Sequence, residues 1–154
     1  MAIFMKYEGI DGEHGLNGEG GYIELTGLAW SMSRSGSAIY SGGRGRVEPS
    51  VGEVNCSKLS DISSIGLLNE AFSGKFDRKV TISFVRQGQA RLLPYMVYTL
   101  TEVGIISFAH GGGEGVPTDS FALTFGSIDI QYTRFTDDLT GVSANILYNV
   151  PQAQ

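Results

Sequence analysis

Cysteine is nearly absent from this chain: Cys56 stands alone among 154 residues. No intrachain disulfide can form, which excludes a small disulfide-stapled secreted domain and suits a reducing cytosol. Basic residues are also few. Lys and Arg number 11 against 16 Asp and Glu, a net charge of −5. A nucleic-acid binder needs a basic face to neutralise phosphates, so this balance argues against one. No apolar run approaches the ~20 residues that a membrane helix needs, and no membrane insertion is expected. The opening run Met1-Ala2-Ile3-Phe4-Met5-Lys6-Tyr7-Glu8 lacks a basic n-region and a cleavage site. It reads as a first strand and not as a signal peptide. The expectation is a chain made and folded in the cytoplasm, with any export by a route without a cleaved signal.

Residues that carry chemistry are as scarce. The two histidines, His14 and His110, fall in unrelated Gly-rich stretches beside Glu13 and Glu114. Without an i, i+4 pair they make no metal motif, and they read as solvated loop histidines. Cys56 lies in the strand-like Val54-Asn55-Cys56-Ser57 and reads as a buried, inert thiol. Gly74-Lys75 fails as a phosphate loop, because it follows a helix and Phe76 stands where Ser or Thr is required. Gly111-Gly112-Gly113-Glu114-Gly115 reads as a turn, and so does Asp137-Asp138. The expectation is no catalytic residue, no metal site and no cofactor.

What the chain does have is glycine, 22 residues of it, clustered between runs of alternating hydrophobicity. Val80, Ile82 and Phe84 alternate with Thr81, Ser83 and Val85. Tyr95, Val97 and Thr99 oppose Met96, Tyr98 and Leu100. Phe121, Leu123 and Phe125 alternate with Ala122 and Thr124. Period 2 in β-branched and aromatic residues is the strand signature. The apolar parity then shifts to Ile128, Ile130 and Tyr132, which predicts a bulge or bend at Gly126-Ser127. A last strand reads Ala144, Ile146, Tyr148, Val150. One segment has helical spacing instead. Ile65, Leu68 and Phe72, widened by Leu67 and Ala71, predict an amphipathic helix whose stripe faces the β-core. Asp61, Ser63 and Ser64 are its candidate N-caps, and Gly74 its stop. The length fits a single domain over residues 1–154, mainly β: a two-sheet β-barrel with one helix packed on it.

A strand ending Leu28-Ala29-Trp30-Ser31 runs into a long loop poor in apolar residues, Ser33-Arg34-Ser35-Gly36-Ser37 through Gly42-Gly43-Arg44-Gly45-Arg46. Loops of this length without secondary structure are usually functional or disordered. Arg34, Arg44 and Arg46 are too few for a nucleic-acid patch, and their guanidinium forks suit carboxylates on a neighbouring subunit. Trp30, the lone Trp, is expected as a core or interface anchor. Strand alternation then puts Ser31 on the opposite face.

These residues resemble the haemolysin-coregulated protein (Hcp) family of bacterial type VI secretion. The likeness runs from Ile10-Asp11-Gly12-Glu13 through Ile23-Glu24-Leu25 and Leu28-Ala29-Trp30-Ser31 to Ser35-Gly36-Ser37. It continues at Asp61-Ile62-Ser63-Ser64 through Leu67-Leu68 to Ser73-Gly74-Lys75, and at Pro117-Thr118-Asp119-Ser120 with Leu123, Phe125 and Tyr132. The resemblance implies a non-enzymatic tube subunit. Copies would form hexameric rings that stack into a tube, capped by a VgrG-like spike protein and wrapped by contractile sheath proteins, with effector proteins in the channel. It would be secreted through that system. The implied ring-stacking loop includes Ser35, Gly36, Ser37, Tyr40, Gly42, Gly43, Arg44, Gly45 and Arg46. The implied channel-facing residues are Ser31, Ser33 and Arg34. This loop departs from the nearly pure Gly and Ser of the family, because it carries Ile39, Tyr40, Arg44 and Arg46. The residues alone leave two other classes open: a monomeric β-barrel that binds a small ligand or glycan, and a hydrolase using His110, Asp137 or Asp138.

Overall fold

The computed structural model describes residues 2–33, 49–88, 91–135 and 141–150. The order of elements is β1 (Ala2–Tyr7), β2 (His14–Leu16), β3 (Glu19–Leu25), β4 (Gly27–Ala29), β5 (Met32–Ser33), β6 (Ser50–Val51), β7 (Val54–Leu59), α1 (Ser63–Ser73), β8 (Arg78–Gln87), β9 (Leu92–Gly111), β10 (Thr118–Thr124), β11 (Ser127–Phe135) and β12 (Gly141–Asn149). The described chain is mainly β with one α-helix, in line with the sequence.

Ten strands form one antiparallel network, in the order β2-β3-β1-β8-β9-β10-β7-β4, with β11 added on β9 and β12 on β11. It folds into two layers because β9 belongs to both. The first part of β9 pairs with β8 and β11, and its last part pairs with β10. The bend between them falls at Glu102, whose φ is +53°. Opposite it the chain turns from β10 into β11, and the Gly126 N–H donates to the Thr101 carbonyl at 2.8 Å. The parity shift foreseen at Gly126-Ser127 is therefore a bend between two strands that share β9. Among the described residues no ladder joins the two ends of the strand order. The chain itself spans them, since β3 pairs with β1 and, after Thr26, β4 pairs with β7. β5 and β6 form a separate two-stranded ribbon on either side of residues 34–48.

Alternation fills the interior. Val80, Ile82, Leu100, Phe121, Leu123 and Ile128 are all buried in one continuous core. Each fully buried aliphatic side chain contributes about 1.5–3 kcal/mol. Val85 lies on the other face of β8, the alternate parity to Val80, Ile82 and Phe84. There it joins Phe4 and Leu16 in a small second cluster beneath the β2–β3 hairpin.

The helix ends at Gly74 as its sequence suggests, but its N-cap is Ile62, not Asp61, Ser63 or Ser64, and it presents a different face. Asp61 Oδ1 accepts from the Ser63 N–H at 2.9 Å, while the Asp61 N–H donates to Ser64 Oγ at 3.1 Å. This reciprocal pair satisfies two donors of the first turn, as a capping box does. Gly74 closes the helix at φ +69°, its N–H bonded to the Glu70 carbonyl. The buried residues are Ser63, Ser64, Leu67 and Glu70. The expected core stripe needs correction: Ile65 is 71% and Phe72 82% exposed, and Leu68 is half-buried. Polar partners under the helix, described below, draw its serines and Glu70 inward and turn the apolar stripe out. His14 and His110 also need correction. They are not loop residues: His14 opens β2 and His110 lies near the end of β9.

Candidate assembly surfaces

Beneath α1 lies a buried charge cluster that the sequence analysis did not single out. Alternation along β7 points Val54, Cys56 and Lys58 inward, and along β10 Asp119, Phe121 and Leu123. Lys58 and Asp119 sit opposite each other in the β7–β10 ladder. Lys58 Nζ donates to Asp61 Oδ1 at 2.9 Å, Ser64 Oγ at 2.9 Å and Asp119 Oδ2 at 3.3 Å. Its three protons thus have three partners. Asp119 Oδ2 also accepts from Ser64 Oγ. Its Oδ1 accepts from Ser60 Oγ at 2.8 Å and lies 2.7 Å from His110 Nδ1. Burial pushes the Asp119 carboxyl up, but the bonds from Ser64, His110 and Ser60, with the Lys58 ammonium, outweigh burial and lower it to about 2. Asp61 is likewise held below the usual carboxylate range. Burial raises it, and the Ser63 and Lys58 hydrogen bonds overcome that.

Ser60, His110 and Asp119 have the composition of a hydrolytic triad but not its geometry. Ser60 Oγ, at 3.4 Å, and Asp119 Oδ1 share the same ring nitrogen, Nδ1. A triad needs the serine on one nitrogen and the carboxylate on the other. What this cluster does is clamp α1 to β7 and β10. A second clamp joins Glu70 on α1 to Arg78 on β8, through Nη2 at 2.8 Å and Nε at 3.4 Å. Cys56 is buried, as expected, and burial pushes its thiol up to about 12. Among the described residues no group of three or more His, Cys, Asp or Glu is placed to hold a metal. No described helix is long and apolar enough to cross a membrane.

Among the described residues, two apolar features of opposite shape stand out. One is a groove of about 240 Å³ where the β5–β6 ribbon meets β11 and β12, lined by Trp30, Met32, Pro49, Val51, Ile128, Ile130, Ile146 and Tyr148. Trp30 is half-buried. Its ring packs on Phe125 at 6.5 Å between centroids, and its Nε1 donates to the Gly52 carbonyl at 3.1 Å. It anchors the ribbon and floors the groove, and so is less enclosed than a core Trp. The other feature is the outward face of α1, where Ile65 and Phe72 are exposed, with Ile62 exposed just before the helix.

Ser31 and Ser33 are exposed beside the ribbon. Arg34, Ser35, Gly36, Ser37, Ile39, Tyr40, Gly42, Gly43, Arg44, Gly45 and Arg46 lie outside the described residues, and so do Asp137 and Asp138. Pro49, next to β6, lines the groove.

The fold defines a two-layer β-scaffold with one helix packed on it. The family model described as "Type VI secretion system effector, Hcp" matches residues 4–132. The chain belongs to the Hcp family of type VI secretion proteins. Its fold is that of solved members. It is 22% identical to Hcp1 from Salmonella typhimurium, covering 96% of this chain and 93% of that one, with a TM-score of 0.72. A type VI secretion system effector from Yersinia pestis is 21% identical over 96% and 99% of the two chains, with a TM-score of 0.74. A structure described as a type six secretion system protein reaches 0.80 at 18% identity, over 97% and 95%. No curated protein sequence matches the chain.

Proposed function

We propose that this chain is a tube subunit of a type VI secretion system and not an enzyme. Copies close into a hexameric ring through a head-to-tail contact. Rings stack through the segment that includes Ser35, Gly36, Ser37, Tyr40, Gly42, Gly43, Arg44, Gly45 and Arg46. The stack is capped by a VgrG-like spike protein and surrounded by contractile sheath proteins. Effector proteins occupy its channel, against Ser31, Ser33 and Arg34. The subunit is made in the cytoplasm and leaves through the secretion system itself. The observation that carries this reading is the family match over residues 4–132, on a fold shared along nearly the whole chain. The experiment is native mass spectrometry at several concentrations. A species of six times 16.5 kDa supports the ring. Monomer alone at tens of micromolar would favour a monomeric binding barrel instead.

A further inference from the structure

We propose that Asn17 is a site of spontaneous deamidation, that its clip to Leu92 holds the reaction off in the closed fold, and that the product releases the β2–β3 hairpin from β9. Asn17 and Gly18 are the two residues between Leu16 of β2 and Glu19 of β3, which pair with each other. Their φ angles are +49° and +87°, both positive as in a type I′ hairpin turn, which favours Asn followed by Gly. Of the five asparagines in the chain only Asn17 precedes a glycine. Both turn residues are exposed, and a side-chain carbon placed on Gly18 would meet nothing within 4 Å. The Gly18 nitrogen is thus open to water and base, with no side chain to shield it.

The chemistry needs only this chain and water. The Gly18 amide gives its proton to base, and its nitrogen attacks Cγ of Asn17. The new N–C bond closes a five-membered imide as the Cγ–Nδ2 bond breaks and Nδ2 leaves as ammonia. Water then opens the imide at one carbonyl or the other, to aspartate or to isoaspartate. The net change is water in and ammonia out, with nothing oxidised or reduced. In the closed fold the carboxamide is held elsewhere. Asn17 Nδ2 donates to the Leu92 carbonyl at 2.9 Å, and Oδ1 accepts from the Leu92 N–H at 3.0 Å. One side chain thus pairs with the first residue of β9 through a donor and an acceptor, as a neighbouring strand would. Cγ must leave this clip to meet the Gly18 nitrogen, and two hydrogen bonds of ordinary net strength hold it back roughly tenfold or more. The product does not restore the clip, because a carboxylate only accepts. One oxygen keeps the Leu92 N–H, and the other then faces the Leu92 carbonyl with no proton between them. Isoaspartate also adds a methylene to the main chain of the turn. Leu16, next to Asn17, is buried with Phe4 and Val85, and Leu92 packs against the same cluster. Losing the clip therefore loosens the hairpin over that cluster.

The test incubates the full chain at mildly alkaline pH, with and without denaturing urea, and follows Asn17 by peptide mass, which tells carboxylate from carboxamide. Asn55, Asn69, Asn145 and Asn149, none followed by Gly, are internal references. In urea Asn17 should convert ahead of all of them, and in the native protein roughly tenfold or more slowly than in urea. Leu92→Pro removes the N–H that Oδ1 accepts, at the first residue of a strand, where proline is tolerated. Where circular dichroism shows this variant folded, Asn17 should convert faster in it than in native wild type. Should it not fold, the native and unfolded rates of the wild type decide. Asn17→Asp mimics the product and tolerates the same backbone. It should keep the circular dichroism of the wild type and speed amide hydrogen exchange at Leu16 and Leu92. The proposal is overturned by an Asn17 no faster than the reference asparagines in urea, or by equal rates in native and unfolded protein. A folded Leu92→Pro that converts no faster than wild type, or wild-type exchange in Asn17→Asp, overturns it as well.

Discussion

Lys58 and Asp119 face each other across the β7–β10 ladder with no exposed surface on either side chain, Nζ 3.3 Å from Oδ2. Asp61 and Ser64 complete the ammonium's shell. Removing one member of a buried pair strands the other charge, at a cost of about 3–5 kcal/mol. Lys58→Met should therefore lower stability by that amount in urea denaturation at fixed protein concentration, because assembly adds to apparent stability. The double variant Lys58→Met/Asp119→Leu should lose less than the sum of the two single losses. Additive losses would mean that the two groups act independently.

The same cluster sets an acid limit. Asp119 is lowered from 3.8 to about 2 in the folded protein, so its contribution is complete above the unfolded carboxylate range. It is lost as pH falls through about 2. Asp61, shifted in the same direction, adds to this limb. Acid titration of unfolding should show stability dropping below about pH 4. Asp119→Asn should flatten that drop while lowering stability at neutral pH. An unchanged acid limb in the variant would place the sensitive carboxylates elsewhere.

Trp30 reports on the groove directly, being the chain's single tryptophan. Because it is half-buried, Trp30→Ala should cost less than the about 3–5 kcal/mol of an enclosed Trp, on the order of 2 kcal/mol. The Gly52 carbonyl then loses its donor. Urea denaturation followed by circular dichroism checks this, and a loss of about 3–5 kcal/mol would mean an enclosed Trp.

Residues 35–45 should matter for stacking and not for folding. Replacing residues 35–45 by a short Gly-Ser turn should leave circular dichroism and ring mass unchanged and abolish secretion. The β5–β6 ribbon already joins the residues on either side through the Met32–Val51 and Ser33–Ser50 pairs. An unfolded product would make the segment part of the core.

The strands were legible in the sequence because each alternating run buries one face, as at Val80, Ile82, Phe121 and Leu123. Gly74 was legible as a stop because its φ of +69° suits a residue without a side chain. The helix face was not. Periodicity assigns apolar residues inward, but here Ser63, Ser64 and Glu70 go in because Asp61, Lys58, Asp119 and Arg78 wait for them. A signal for this existed: Lys58 and Asp119 occupy inward parities of their strands, where an unpaired charge would be costly. The bend of β9 left no such mark. Glu102 is an ordinary residue in sequence, and only the partners on either side of it reveal the change of layer.

The passage of β9 through both layers has a further consequence for how the subunit comes apart. Its backbone is bonded on both sides, to β8 and β11 over Met96–Leu100, and then to β10 over the last stretch. Neither layer can open without breaking a ladder on this one strand. The amides of β9 over Met96–Leu100, which have a ladder on each side, should therefore be among the last to exchange with solvent. A force that distorts that layer is met there by the ladders to β8 and β11 together.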